Sequence, residues 1–242
     1  MSYQLTSTIA GFDARPQPAP RTWPRKVAAL LTLAFCINLL AAGAAPAEEA
    51  AANPRAGLAD FLGASASSDA RQIADWALRT SDNRGMPFVI VDKKSAKVFV
   101  FDGRGRLLGA TSALLGLARG DDSAPGIGNR ELSQIRPDER TTPAGRFVAS
   151  LGQDLGEKDV LWVDYAAALA LHRVLATNTR EHRLERLDAA SPLSRRITFG
   201  CINVPVSFYD RIVHPAFTGT SGVVYILPEI KSLSEVFSTF AA

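Results

Sequence analysis

Hydrophobic positions change their spacing along the chain, and each change marks a different kind of segment. An unbroken apolar run, Val27 to Leu40, follows the basic residues Arg21, Arg25 and Lys26 and leads into the small-residue stretch AAGAAPA. That layout predicts a secretory signal peptide over 1–47, with Ala45-Pro46-Ala47 as the exit and Glu48 as the first mature residue. Extended through Ala47, the run approaches the roughly 20 residues of a bilayer span, so an uncleaved anchor is the alternative. Residues 48–66 are rich in Ala, Ser and Gly and too poor in apolar side chains to pack alone, which predicts a tether. Helical spacing follows: Ile73, Trp76 and Ala77 fall at i, i+3 and i+4, predicting a helix over 70–80 capped by Ser68 or Asp69. Residues 48–85 therefore read as linker and short helix, ahead of a domain over 86–242.

Beyond Gly85 the pattern becomes extended. PFVIVD (87–92) and KVFVFD (97–102) are β-branched and aromatic runs either side of a short polar turn, and Asp102 to Gly105 turns again into a strand over 107–115. Residues 118–142 are polar and broken by Gly and Pro, longer than a plain connector in a compact domain. Strands resume over 145–151 and 160–165, with an extended stretch over 168–174. A charged insertion, Thr177 to Arg196, carries one short helix around Leu184 and Leu187. An extended segment over 197–204 is followed by a helix that Pro205 opens, a strand over 222–227, and a terminal helix that Pro228 opens with Ile230, Leu233 and Phe237 on one face. The fold class is mainly β with a few short helices.

The composition, 47% hydrophobic and 21% charged, excludes a disordered or collagen-like chain. Net charge is +3, but Arg15, Arg21, Arg25 and Lys26 against Asp13 account for all of it within 1–47. The remainder is neutral, which removes the electrostatic case for a nucleic-acid partner. Cys36 lies in the apolar run, so Cys201 is the one thiol of the exported chain and forms no intramolecular disulfide.

Gly200 before Cys201, at a predicted strand-to-helix junction, lets backbone N–H groups approach the sulfur. Such a setting lowers a thiol pKa below the free value of about 8.5, and the same N–H groups can serve an oxyanion. Of the three histidines, His172 ends an extended segment and is the candidate base. His182 sits in the charged insertion, and His214 precedes Pro215. Positions 172, 182, 201 and 214 lack the paired spacing of zinc ligands, and no metal or cofactor is expected. A papain-like protease fits less well, since its Cys lies near the mature N-terminus and precedes its His.

Thr198-Phe199-Gly200-Cys201-Ile202-Asn203, with His172 upstream and Thr142-Pro143-Ala144-Gly145-Arg146-Phe147 before it, resembles the L,D-transpeptidase (YkuD-like) family over about residues 86–228. Two departures stand out. Phe199 replaces the motif's second His, and 29 positions separate His172 from Cys201, more than the family's usual spacer. The insertion accounts for the excess and could form a lid or rim. The resemblance implies an L,D-transpeptidase-like β-sandwich in a periplasmic enzyme acting on peptidoglycan stem peptides, with membrane association only if the N-terminal segment stays uncleaved. It further implies that Cys201 forms a thioester with a stem peptide and passes the acyl group to an amine or to water. His172 moves the proton, and N–H groups of Gly200 and Cys201 hold the oxyanion. Thr198 and Asn203 fix the loop, and Arg195 and Arg196 meet substrate carboxylates or face solvent. A catalytically inactive peptidoglycan binder of the same fold is the alternative.

Overall fold

The computed structural model describes residues 57–238 apart from 155 and 157, so the expected signal segment lies outside the described residues. Among the described residues no helix is long and apolar enough to cross a membrane. Ten strands carry the fold: β1 (Phe88–Asp92), β2 (Lys97–Phe101), β3 (Leu107–Ser112), β4 (Leu115–Gly116), β5 (Gly145–Gln153), β6 (Asp159–Asp164), β7 (Leu169–Arg173), β8 (Arg196–Thr198), β9 (Ile202–Val204) and β10 (Gly222–Ile226). Eight of them form one mixed sheet in the order β3-β2-β1-β10-β5-β6-β7-β9, and β4 pairs with β8. The mainly β class is as expected.

The long strand β5 pairs with β10 through its first half and with β6 through its second, so the sheet turns at β5 and its two halves face one another. Leu114, just past β3, exchanges backbone hydrogen bonds of 2.8 and 2.9 Å with Asn203 of β9, which brings the sheet's two edges together. Alternate residues point inward, as the period of two requires: Val89, Val91, Val98, Val100, Leu161, Val163, Leu169, Leu171, Ile202, Val204, Val224 and Ile226 share the inner core.

A second core covers the outer face of β1, β2 and β10. Here α1 (Ser68–Arg79) lays Ile73, Trp76 and Ala77 against Phe88, Ile90, Phe99, Phe101 and Tyr225. Its cap is Ser67, whose side chain accepts from Ala70 N at 3.1 Å, one residue before the expected cap. The expected tether also packs where it is described. Phe61 stands edge-on to Phe99 and Phe101 at 5.5 and 5.0 Å, and Asp60 bonds to Gly105 and Leu107 backbone. One aromatic side chain in an otherwise small-residue stretch is enough to seat it.

A buried ion cluster ties the distant loops together. The Lys93 ammonium, wholly buried, donates to Asp121 Oδ1 at 2.7 Å and to Thr142 O at 2.8 Å. Asp121 also accepts the backbone N–H groups of Glu229, Ile230 and Lys231. Burial pushes the Asp121 carboxyl up in pKa, but these donors outweigh it and hold the group at about 2. The expected helix from Pro228 does not form: residues 229–231 are non-helical, Ile230 is exposed, and the terminal helix α4 (Leu233–Val236) starts later behind a capping box of Ser232 and Glu235.

Candidate active site

Residues 199–201 connect β8 to β9 and form the loop that carries Cys201. Gly200 adopts φ +139°, where a Cβ would stand 2.8 Å from Thr141 O, so only glycine fits. Thr142, buried, donates to Gly200 O at 2.7 Å and accepts from Gly116 N at 2.9 Å. The two stretches that carry the family resemblance, 142–147 and 198–203, therefore meet in space. Thr198 Oγ1 donates to Cys201 O at 2.7 Å and accepts from Gly200 N at 3.2 Å. Thr198 thus ties the loop to itself, whereas the Asn203 side chain bonds Arg183 and His172, and the Gly200 N–H expected for the oxyanion is already engaged.

The Cys201 thiol is 3.5 Å from the carbonyl of Ala168, which the β6–β7 turn presents from a left-handed conformation (φ +49°). Cys201 is half-buried. Desolvation pushes its thiol pKa up, although the N–H groups of Ala170 and of Cys201 itself favour thiolate. The expected depression is thus reversed. The cause lies in the local structure: Cys201 leads into β9, and the next helix, α3 (Val206–Phe208), begins only after Pro205. No helix N-terminus faces the sulfur. Alkylation of Cys201 should follow a pH profile with its midpoint above the free-thiol value of about 8.5; a midpoint below it would contradict this account of the sulfur.

β7 and β9 run parallel with Leu171 beside Ile202 and His172 beside Asn203. Leu171 and Ile202 point into the core, so His172 and Asn203 share the outer face, and Cys201 lies in the loop just before β9. His172 Nδ1 is 2.8 Å from Arg173 O, and its Nε2 is 2.9 Å from Asn203 Nδ2. Burial lowers the pKa of the ring, and so does the charge of Arg183. His172 and Cys201 open into different cavities. Cys201 lies in one of about 90 Å³ lined by Phe199, Gly200, Ile127, Arg130 and Ala168, and His172 in one of about 400 Å³ with Lys158, Asp159, Arg173 and Val206.

Phe199 is covered by the Arg140 guanidinium, 4.0 Å from its centroid. Arg195 and Arg196 do not face solvent. Arg195 donates to Ala189 O at 2.6 Å and to Ser95 O at 3.2 Å, and Arg196 donates to Glu229 at 2.6 Å and to Lys93 O at 3.1 Å, both buried. The residue that sequence reasoning missed is Arg183. It lies on α2 (Arg183–Asp188), within the insertion, and its Nη1 donates to Asn203 Oδ1 at 2.8 Å. Only the presence of an Arg-rich insertion between His172 and Cys201 pointed that way.

No family model matches the chain, and no curated protein does. Among solved structures, the helical cell-shape-determining protein of Campylobacter jejuni is similar at 12% identity and TM-score 0.40, over 60% of this chain and 49% of that one. The matched part spans about half of that protein. An L,D-transpeptidase from Xylanimonas cellulosilytica is similar at 13% identity and TM-score 0.35, over 59% of this chain and 61% of that one. The catalytic domain of an E. faecium L,D-transpeptidase is similar at 14% identity and TM-score 0.31, over 59% of this chain and 98% of that one.

Proposed function

We propose that the protein is a divergent, exported L,D-transpeptidase that acts on peptidoglycan stem peptides through Cys201. The observation that supports the reading is the parallel pairing of β7 with β9, which sets His172 next to the strand that Cys201 leads into, with the ring's Nδ1 on the Arg173 carbonyl and its Nε2 on the Asn203 amide. General-base activation requires an unprotonated nitrogen at the thiol, so Nε2 turns from Asn203 to the sulfur when substrate binds. Cys201 Sγ attacks the carbonyl of the third stem residue while His172 Nε2 takes the thiol proton. The C–N bond to the terminal D-Ala breaks, that proton goes to the leaving amine, and a thioester remains. An amine of a second stem, or water, then takes the acyl group. The Gly200 N–H is engaged by Thr198 and the Cys201 N–H by the sulfur, so one of them is released to hold the oxyanion. A cavity of about 90 Å³ lies well below the several hundred of an enclosing ligand pocket, so the peptide lies across its mouth and only the reacting carbonyl enters.

A second reading, a peptidoglycan binder of the same fold without turnover, is favoured by one feature: Asn203 caps the nitrogen that should receive the proton. Incubation of the mature protein with purified tetrapeptide muropeptides, followed by mass spectrometry, separates the two. The transpeptidase reading expects release of D-Ala with cross-linked or tripeptide products. Muropeptides that bind but stay unchanged would support the binder.

A further inference from the structure

Arg183 takes no part in the chemistry proposed above, yet through Asn203 it acts on the Nε2 side of His172, as Arg173 O does on the Nδ1 side. Its Nη1 donates to Asn203 Oδ1 at 2.8 Å, and its Nε donates to Glu181. A guanidinium only donates, so the Asn203 atom facing it is the amide oxygen. The amide nitrogen then faces His172 Nε2 at 2.9 Å. That nitrogen also only donates, so Nε2 accepts and carries no proton. The proton of the neutral ring is on Nδ1, where it donates to Arg173 O at 2.8 Å. Each link of this chain across α2, β9 and β7 leaves the next a single choice of tautomer.

We propose that Arg183 is a positioning residue for His172: acting through the Asn203 amide, it holds the imidazole neutral with its lone pair on Nε2 and couples charging of the ring to a turn of that amide. The proposal rests on the reading of His172 as the acceptor of the thiol proton. Protonating Nε2 sets two donors face to face, so the amide has to turn over, and the turn points its nitrogen at Arg183 and breaks that bond. The reactive ion pair of thiolate and imidazolium is thereby disfavoured until substrate rearranges Asn203, in keeping with the raised thiol pKa. The charged groups around the ring are Arg183 from α2, Asp154 and Lys158 from the β5–β6 connection, and Asp159 and Arg173 lining the same cavity. Of these, Arg183 is the one that reaches the ring through Asn203.

The test is nitrogen-15 NMR of the three histidines across pH, without substrate. Wild-type protein should show the Nδ1–H tautomer at His172 and a titration midpoint below the ordinary histidine value. Arg183→Met, which removes the donor and one positive charge, should raise the midpoint by about one pH unit and admit the Nε2–H tautomer. It should also speed alkylation of Cys201 by iodoacetamide at pH 7 several-fold. Arg183→Lys still donates and should return both readouts towards wild type. Asn203→Asp replaces the amide donor with a second acceptor of nearly the same shape, and should raise the midpoint with Arg183 in place. An Nε2–H tautomer in the wild type, or a midpoint unmoved in both Arg183→Met and Asn203→Asp, would overturn the proposal. Because the ring is read without substrate, absence of D-Ala release would sink the enzyme reading and leave this result standing or falling by itself.

Discussion

Cys201→Ala should abolish acyl transfer, and His172→Ala should slow it by about 10²- to 10⁴-fold, the range that a positioned general base contributes. The two losses differ in kind. Without Cys201 there is no atom to carry the acyl group, so no thioester forms at any pH. Without His172 the sulfur still sits beneath the Ala168 carbonyl with the N–H groups of Ala170 and Cys201 turned to it. It should then react as a desolvated thiol, recovering as the pH rises and thiolate forms directly. Rates of acyl-enzyme formation from pH 6 to 10 check this. A His172→Ala rate equal to wild type at pH 7 would remove His172 from the mechanism.

The largest expected effect on stability is at the buried Lys93 and Asp121 pair. Asp121→Ala leaves the wholly buried Lys93 ammonium with only Glu229, 3.8 Å away, in place of its hydrogen-bonded carboxylate, and strips the acceptor from three backbone N–H groups at 229–231. Removing one partner of such a pair costs on the order of 3–5 kcal/mol, because the remaining charge is desolvated without compensation. In a domain of this size that lowers Tm by roughly 6–20 °C, measured by calorimetry against wild type. The pH dependence has a definite sign. The Asp121 carboxyl is depressed to about 2 in the fold, against roughly 3.9 in an unfolded chain. Its contribution is therefore complete above about pH 4 and is lost as pH falls through 2. Asp121→Ala should flatten the acid limb of the stability curve in that window. A change in Tm of less than about 2 °C would show that the cluster contributes little.

The strands were legible because their signal is local: PFVIVD and KVFVFD become β1 and β2 with nearly every residue buried, as runs this apolar demand. The candidate site was legible in part. Thr142 and the 198–203 stretch were singled out separately in the sequence, and the fold joins them through the bond from Thr142 to Gly200 O. What local reading could not supply were partners far along the chain. Arg195 and Arg196 stand next to the motif in sequence, yet their acceptors are Ser95, Ala189, Lys93 and Glu229, so both are spent on structure. The start of the terminal helix was misplaced for a different reason: Ser232 and Glu235 form a capping box four residues after Pro228 that sets the start. The thiol was misjudged because its pKa depends on how far the sulfur is desolvated, and that follows from the β6–β7 turn and the loop together. Arg183 lay hidden in a charged insertion that read as a solvated rim.

The central claim is that Cys201 becomes covalently acylated by a stem peptide, and intact-protein mass spectrometry tests it most directly. Mature wild-type protein, mixed with a disaccharide tetrapeptide and quenched in acid, should gain the mass of the donor less D-Ala. Peptide mapping should place that mass on Cys201, and Cys201→Ala should show none. Wild-type protein that binds the same muropeptide in a titration yet shows no mass gain at any time point would contradict the account and establish a binder in place of an acyltransferase.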